Sequence, residues 1–387
     1  MTITTILVGT TKGAFLLTGT DRDGWQVSGP HCDGWPINHL ASDPQTGALW
    51  AGGGNDWTGS GIWRSTDGGE SWALAKLSNG KFDEWLANDP DFAEEIGMEP
   101  DPAAPYTGTV EAIWSLKYAH GTLYAGGKPA QLFTSRDGGK SFDLVESLAA
   151  FPERESWQPG AAGLTLHTIV PSPDDPKRMW LAISAAGVFA TEDGGETWER
   201  RNRRANAESA GAHIHADGSK HEPGADTGLC VHNMVRAPGG GDTLYQQNHH
   251  GVYRSPDGGR SWMEITEGLP STFGFPIAVH PRDPEMVWTL PLNGDMLGRF
   301  PPDASAAVWK STDGGATWAA KQAGLPAENC YFTVLRQAMT SDTQEPAGVY
   351  FGTNSGSVFV SRDEGESWDE AAKHLPTVLC VEVMERT

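Results

Sequence analysis

A chain of 387 residues with 48 glycines, 26 prolines and a formal charge of -22 reads as a turn-rich all-β protein with a solvated acidic surface. That charge excludes nucleic acid and anionic membrane as partners, since both need a basic face. No stretch is long and apolar enough to span a bilayer, and residues 1–9 lack the basic start of a signal peptide, so a cytoplasmic location is expected. The four cysteines, Cys32, Cys230, Cys330 and Cys380, have no C-x-x-C spacing. Three of them lie in apolar strand-like segments, where buried free thiols are expected.

Runs of β-branched and apolar residues at 5–8, 13–17 and 25–28 open the chain as three strands. A unit then recurs six times: strand A, strand B, strand C, a polar turn and strand D. Strand A falls near 37–42, 112–116, 164–170, 230–235, 275–279 and 331–335. In the fourth unit the remaining strands fall near 243–247, 252–255 and 262–265. The polar turns, at 65–72, 135–142, 191–198, 255–262, 311–318 and 361–368, share the pattern S/T-x-D-x-G-x-S/T-W/F. The Asp carboxylate can accept from its own turn's N–H groups, glycine supplies positive φ, and the aromatic residue packs between layers. Segment 377–383 is an unaccompanied seventh strand A, and the three N-terminal strands are its missing partners. The expectation is a seven-bladed β-propeller, one domain over 1–387, closed by the C-terminal strand joining the N-terminal blade. Residues 18–25 resemble a decayed seventh turn.

The repeated turns join strands C and D, on the face opposite the usual binding mouth, so they are structural. The mouth is built from the start of strand A and the D–A and B–C loops. Here the repeat becomes uneven: His39, His167 and His232 lie on strand A of the first, third and fourth units, with Glu111 opening the second. His167 and His232 share one register and His39 is one position off. The fourth B–C loop adds Gln246-Gln247-Asn248-His249-His250. His39, His167, His232 and His249 are candidate ligands for a divalent Zn, Mn or Fe ion, with Glu111 as ligand or general base and His250 as acid. Asp56, Trp57, Lys128, Gln247 and Tyr331 are candidate substrate contacts, joined in the B–C loops by Asn293, Asp295 and Arg299. His280 sits at an A–B turn and reads as structural. Long loops at 76–110 and 201–228 are expected over the mouth. The first holds Phe82, Trp85 and Phe92; the second, a lid candidate, holds His213, His215, His221 and Glu222.

On these turns the chain resembles bacterial cytoplasmic BNR/Asp-box propellers that carry a sialidase-like or glycosyl-hydrolase-like label. The resemblance extends to Gly34-Trp35-Pro36, Trp157-Gln158-Pro159-Gly160, Tyr245-Gln246-Gln247-Asn248-His249 and the run from Phe273 to Pro281. It implies the propeller and not the activity, because the label follows from structural turns. True sialidases use three arginines, an Arg-Ile-Pro signature and a Tyr/Glu pair. This chain has no Arg-Ile-Pro, and its late strand-A arginine, Arg336, is expected to point to the far face. Photosystem II assembly factors with the same repeats are similar but bind protein through an arginine patch. Some propeller lyases hold a metal with His and Gln, loosely similar to Gln247, His249 and His232. The expected function is a metal-dependent hydrolase or lyase acting on a small polar or sugar-like substrate, with a homo-oligomer possible. The alternatives are a metal-free sialidase-like glycosidase using Glu111 and Asp56, and a non-catalytic ligand- or protein-binding scaffold.

Overall fold

The computed structural model describes the chain except residues 1–3, 21–23, 100, 206–212, 215–219, 222–225, 240 and 385–387. Seven four-stranded antiparallel sheets form the ring of a seven-bladed β-propeller. The inner strands of blades one to six are Ile37–Ser42, Ala112–Ala119, Thr165–Pro171, Val231–Arg236, Gly274–Val279 and Met339–Ser341. Blade seven joins the two ends of the chain: Val378–Met384 is its inner strand and pairs with Thr4–Thr10, followed by Gly13–Thr20 and Gly24–His31. This pairing leaves the ring without an open edge. Among the described residues no helix is long and apolar enough to cross a membrane.

The six repeated turns share one hydrogen-bond pattern. In the first, Ser71 donates from its backbone N–H (3.0 Å) and its hydroxyl to Asp67, and the Ser65 hydroxyl donates to Asp67 at 2.8 Å. These donors hold the Asp67 carboxyl well below the usual carboxylate range, and the same holds for Asp137 and Asp193. Residues 21–23 of the proposed decayed turn lie outside the described residues.

Adjacent blades are tied through these turns by aromatic side chains. Trp50, Trp180 and Trp288, all on second strands, donate from Nε1 to Gly138, Gly258 and Glu364 in the turn of the next blade, at 2.8–3.0 Å. In the reverse direction, Trp262 and Trp318 of the turns donate to Arg201 and Ile265 of the blade before, both at 2.9 Å. Each indole thus removes a large apolar surface from water while its N–H keeps a partner.

The inner strands carry a bulge in the same place. Pairing skips one residue between Ile37 and His39, Ile113 and Ser115, Leu166 and Thr168, and Val231 and Asn233. The extra residues are Asn38, Trp114, His167 and His232, so the two histidines do share a register and His39 is offset by one. Side chains near the bulge reach the neighbouring inner strand: Asn38 donates to the Ile113 carbonyl and Ser115 to that of Leu166, both at 2.8 Å. The sixth blade departs from expectation. Its inner strand is Met339–Ser341, and 331–335 precedes it, held to the B–C turn by Asn354. Gln337, freed from the ladder, reaches across the channel to donate to the His167 carbonyl.

Two outcomes test this account. Trp180 is buried and bonded, so Trp180→Ala is expected to lose about 3–5 kcal/mol in urea unfolding, and Trp180→Phe much less. The turn carboxylates are depressed in the folded state, so their contribution is complete above their unfolded value, near 4, and is lost as pH falls below it. The melting temperature should therefore hold from pH 7 to 5 and drop below about pH 4. Asp193→Ala should lower it by a few degrees at pH 7 and make the acid drop shallower.

Candidate metal centre at the channel mouth

The candidate site lies at the mouth where blades four and five meet. Cys230 and His249 flank the last pair of the fourth blade's inner ladder, Val231 with Asn248, and the His249 N–H donates to the Cys230 carbonyl at 3.0 Å. His232, two residues after Cys230 on extended chain, falls on the same side as its thiol. One ligand atom from each of Cys230, His232 and His249 lies within 4.8 Å of the others. Cys230 Sγ and His232 Nε2 are 3.6 Å apart.

The ring of His232 is fixed by its other nitrogen. Nδ1–H donates to the Gly274 carbonyl at 2.5 Å, which leaves the Nε2 lone pair facing Cys230. The ring also packs against Phe273 and Phe275, with centroids 5.2 and 4.7 Å away. Burial, and then the charge of Arg336, drives its pKa well below the ordinary value, so the imidazole is neutral at physiological pH. The Asp295 carboxylate lies 3.8 Å from His249 Nε2, and the His250 ring is 4.6 Å from that of His249. Burial raises the Cys230 thiol, with Ser184 and Arg336 pulling it back down.

Of the site residues singled out in the sequence, only His232 and His249 belong to this three-residue cluster. His39 stands outside the cluster with both nitrogens engaged: Nδ1 accepts the Leu116 N–H at 3.0 Å, and Nε2 lies 3.3 Å from Glu382 of the closing strand. His167 is buried beneath the mouth, its Nδ1 2.8 Å from the Thr168 hydroxyl. Gln247 is a buried brace: its amide donates to the carbonyls of Asn248 and Thr272, and its oxygen accepts from Thr289. Glu111 and Asp56 are ion-paired with Lys128 (3.2 Å) and Lys81 (2.6 Å) on blades two and one. Trp57 and Tyr331 are exposed, Trp57 beside Phe82 and Trp85 of the 76–110 insertion and Tyr331 against Phe300. His280 is structural as expected, its Nδ1 accepting the N–H groups of Arg282 and Asp283. In the 201–228 loop, His213–Ile214 pairs with Lys220–His221, while His215 and Glu222 lie outside the described residues.

Arg336 is the largest correction. Because the sixth inner ladder begins only at Met339, Arg336 stays on the mouth side. Its guanidinium sits 5.1 Å from the Phe275 ring, which also carries Arg299 at 5.7 Å. Sequence reasoning also passed over Cys230 as a ligand. The signal available for it was its two-residue spacing from His232.

Beneath the mouth, Gln337 bridges the channel, and a separate cavity of about 370 Å³ opens toward the far face. It is lined by His39, His280 and Glu382 among others and holds none of the three clustered side chains.

Cys230 is half-buried whereas Cys32, Cys330 and Cys380 are buried. Native alkylation followed by mass spectrometry should therefore label Cys230 first, slowly at pH 7 and faster as pH rises toward its raised pKa.

No protein-family model matches the chain, and no curated protein is similar to it in sequence. Solved structures do resemble it in fold. A putative 6-phosphogluconolactonase from Bacteroides fragilis superposes with a TM-score of 0.55 at 10% identity, covering 98% of each chain. A GH74 xyloglucanase from Xanthomonas campestris gives 0.54 at 17% identity, over 86% of this chain and 45% of that one. A structure of YCF48 bound to a D1 peptide gives 0.50 at 13% identity, over 86% and 80%. At such identities the likeness is one of fold.

Proposed function

We propose that this chain is a metal-dependent hydrolase or lyase acting on a small polar substrate at the channel mouth, with Cys230, His232 and His249 holding the metal. The observation that carries the reading is the convergence of these three side chains within 4.8 Å. Tetrahedral zinc, with bonds of about 2.3 Å to sulfur and 2.0–2.1 Å to nitrogen, sets its ligands roughly 3.5 Å apart. The 3.6 Å between Cys230 and His232 suits that spacing. A thiolate in the set favours zinc over manganese. The Gly274 carbonyl on Nδ1 of His232 is the supporting contact that a metal-bound imidazole needs, and the Asp295 carboxylate stands 3.8 Å from His249 Nε2.

Three protein ligands leave a fourth position for water or substrate, and there the metal would acidify a water or polarise a carbonyl. The remaining steps fall to the chain. Phe273 and Phe275 exclude water from one side of the cluster, and His250, beside His249, is our choice for the proton carrier. The resemblance in fold to lactonase and glycoside hydrolase propellers supports a hydrolase. The repeated turns support the Asp-box kinship that the sequence suggests. A carboxylate-pair glycosidase finds less support, because Glu111 and Asp56 belong to different blades and each is ion-paired with a lysine, Lys128 at 3.2 Å and Lys81 at 2.6 Å.

Purified protein supplemented with zinc should hold about one ion per chain by elemental analysis. Cys230→Ala and His232→Ala should each abolish binding with unchanged circular dichroism. His39→Asn should leave it within about twofold, because both nitrogens of His39 already have partners. No stoichiometric metal in the supplemented wild type would sink the metal reading and return the mouth to a binding scaffold.

A further inference from the structure

Arg336 is a cation without a counterion. Among the described residues no carboxylate pairs with it, and its Nε is shielded from solvent with no hydrogen-bond partner. Burial pushes its pKa down to about 10, so it remains charged at neutral pH while having lost much of its hydration. The nearby carboxylate of Asp295 is already engaged, accepting from Arg299 Nε through one oxygen and lying 3.8 Å from His249 through the other. The Phe275 face, 5.1 Å away, replaces only part of the lost hydration. A guanidinium withdrawn from water in this way is costly unless an anion reaches it.

The surroundings sharpen the point. Arg299 shares the same phenyl ring at 5.7 Å, so the Arg299–Asp295 pair cancels and the Arg336 charge remains. If zinc is held as a thiolate–bis-imidazole centre, that centre carries a further positive charge. The carbonyl of Arg336 accepts from Asn233 at 2.7 Å, which fixes its backbone against the fourth blade. The surroundings of Arg336 are thus net positive in a protein whose charge is -22 overall. A guanidinium offers a planar fork that matches a carboxylate or a phosphate.

We infer that the substrate carries a small oxyanion group, carboxylate or phosphate, and that Arg336 anchors it beside Cys230, His232 and His249. The inference deepens the metal-hydrolase reading but does not require it, since Arg336 is uncompensated with or without the ion.

The test measures binding of sodium succinate and of inorganic phosphate by calorimetry at constant ionic strength, on zinc-supplemented and chelator-treated protein. Metal content is determined separately on the same samples. Saturable binding of at least one anion is expected in both preparations, tighter with zinc where zinc is held. The more tightly bound anion identifies the headgroup. Arg336→Met should weaken it by about tenfold or more, and Arg336→Lys, which keeps the charge but loses the fork, by less. Circular dichroism establishes that both variants are folded, and the Lys variant serves if the Met variant is not. Absence of saturable binding in both preparations, or affinity unchanged in the folded Arg336 variants, would overturn the inference. Arg336-dependent binding by protein that takes up no zinc would uphold it while removing the metal reading.

Discussion

The carbonyl groups of the inner strands are the constraint on which this molecule turns. Seven strands crowd around one channel, and polar side chains of one blade serve carbonyls of another: Asn38 to Ile113, Ser115 to Leu166, His232 to Gly274, Asn233 to Arg336 and Gln337 to His167. A buried carbonyl left without a donor is costly. The ring therefore closes only in a geometry where these contacts are made. The same contact that ties blade four to blade five selects the tautomer of His232, so the candidate site inherits its precision from the scaffold.

The two faces of the propeller divide the work. On the far face, the repeated turns bond inwardly through their carboxylates and outwardly through indoles, and they repeat because every blade boundary needs the same seam. On the mouth face the backbone bulge recurs but the side chains it presents differ from blade to blade. Blades one and two present ion pairs and exposed aromatics, whereas the boundary of blades four and five concentrates Cys230, His232, His249 and the two arginines. Chemistry can collect there because the far-face seams supply inter-blade cohesion independently of it.

The legible part of the sequence was whatever is local. The turns announced themselves, their spacing marked the blades, and the unaccompanied strands at the two ends implied their union in blade seven. The shared register of His167 and His232 was also visible. Their separate fates were not, because His167 lies under the Gln337 bridge and His232 faces the mouth, and both outcomes depend on other blades. Cys230 looked like an ordinary strand thiol, since its partner His249 follows the next strand and meets it only once that hairpin pairs. Arg336 was assigned to the wrong face because 331–335 has the composition of a strand, yet the backbone leaves the ladder at Arg336 and Gln337. Gln247 looked like a substrate contact for the converse reason: a polar residue among histidines, its amide is taken up by the carbonyls of Asn248 and Thr272 and by the Thr289 hydroxyl.

Blade seven draws its inner strand from one end of the chain and its other three from the opposite end. The pairing of Gly9 with Cys380 spans nearly the whole sequence, so its loop-closure entropy is among the largest in the molecule. During synthesis the first three strands must wait, unpaired on one side, until the last is made. The channel wall that carries Glu382 is completed only then. Ring closure is thus a late checkpoint: a chain made only as far as residue 377 has blades, but no finished channel.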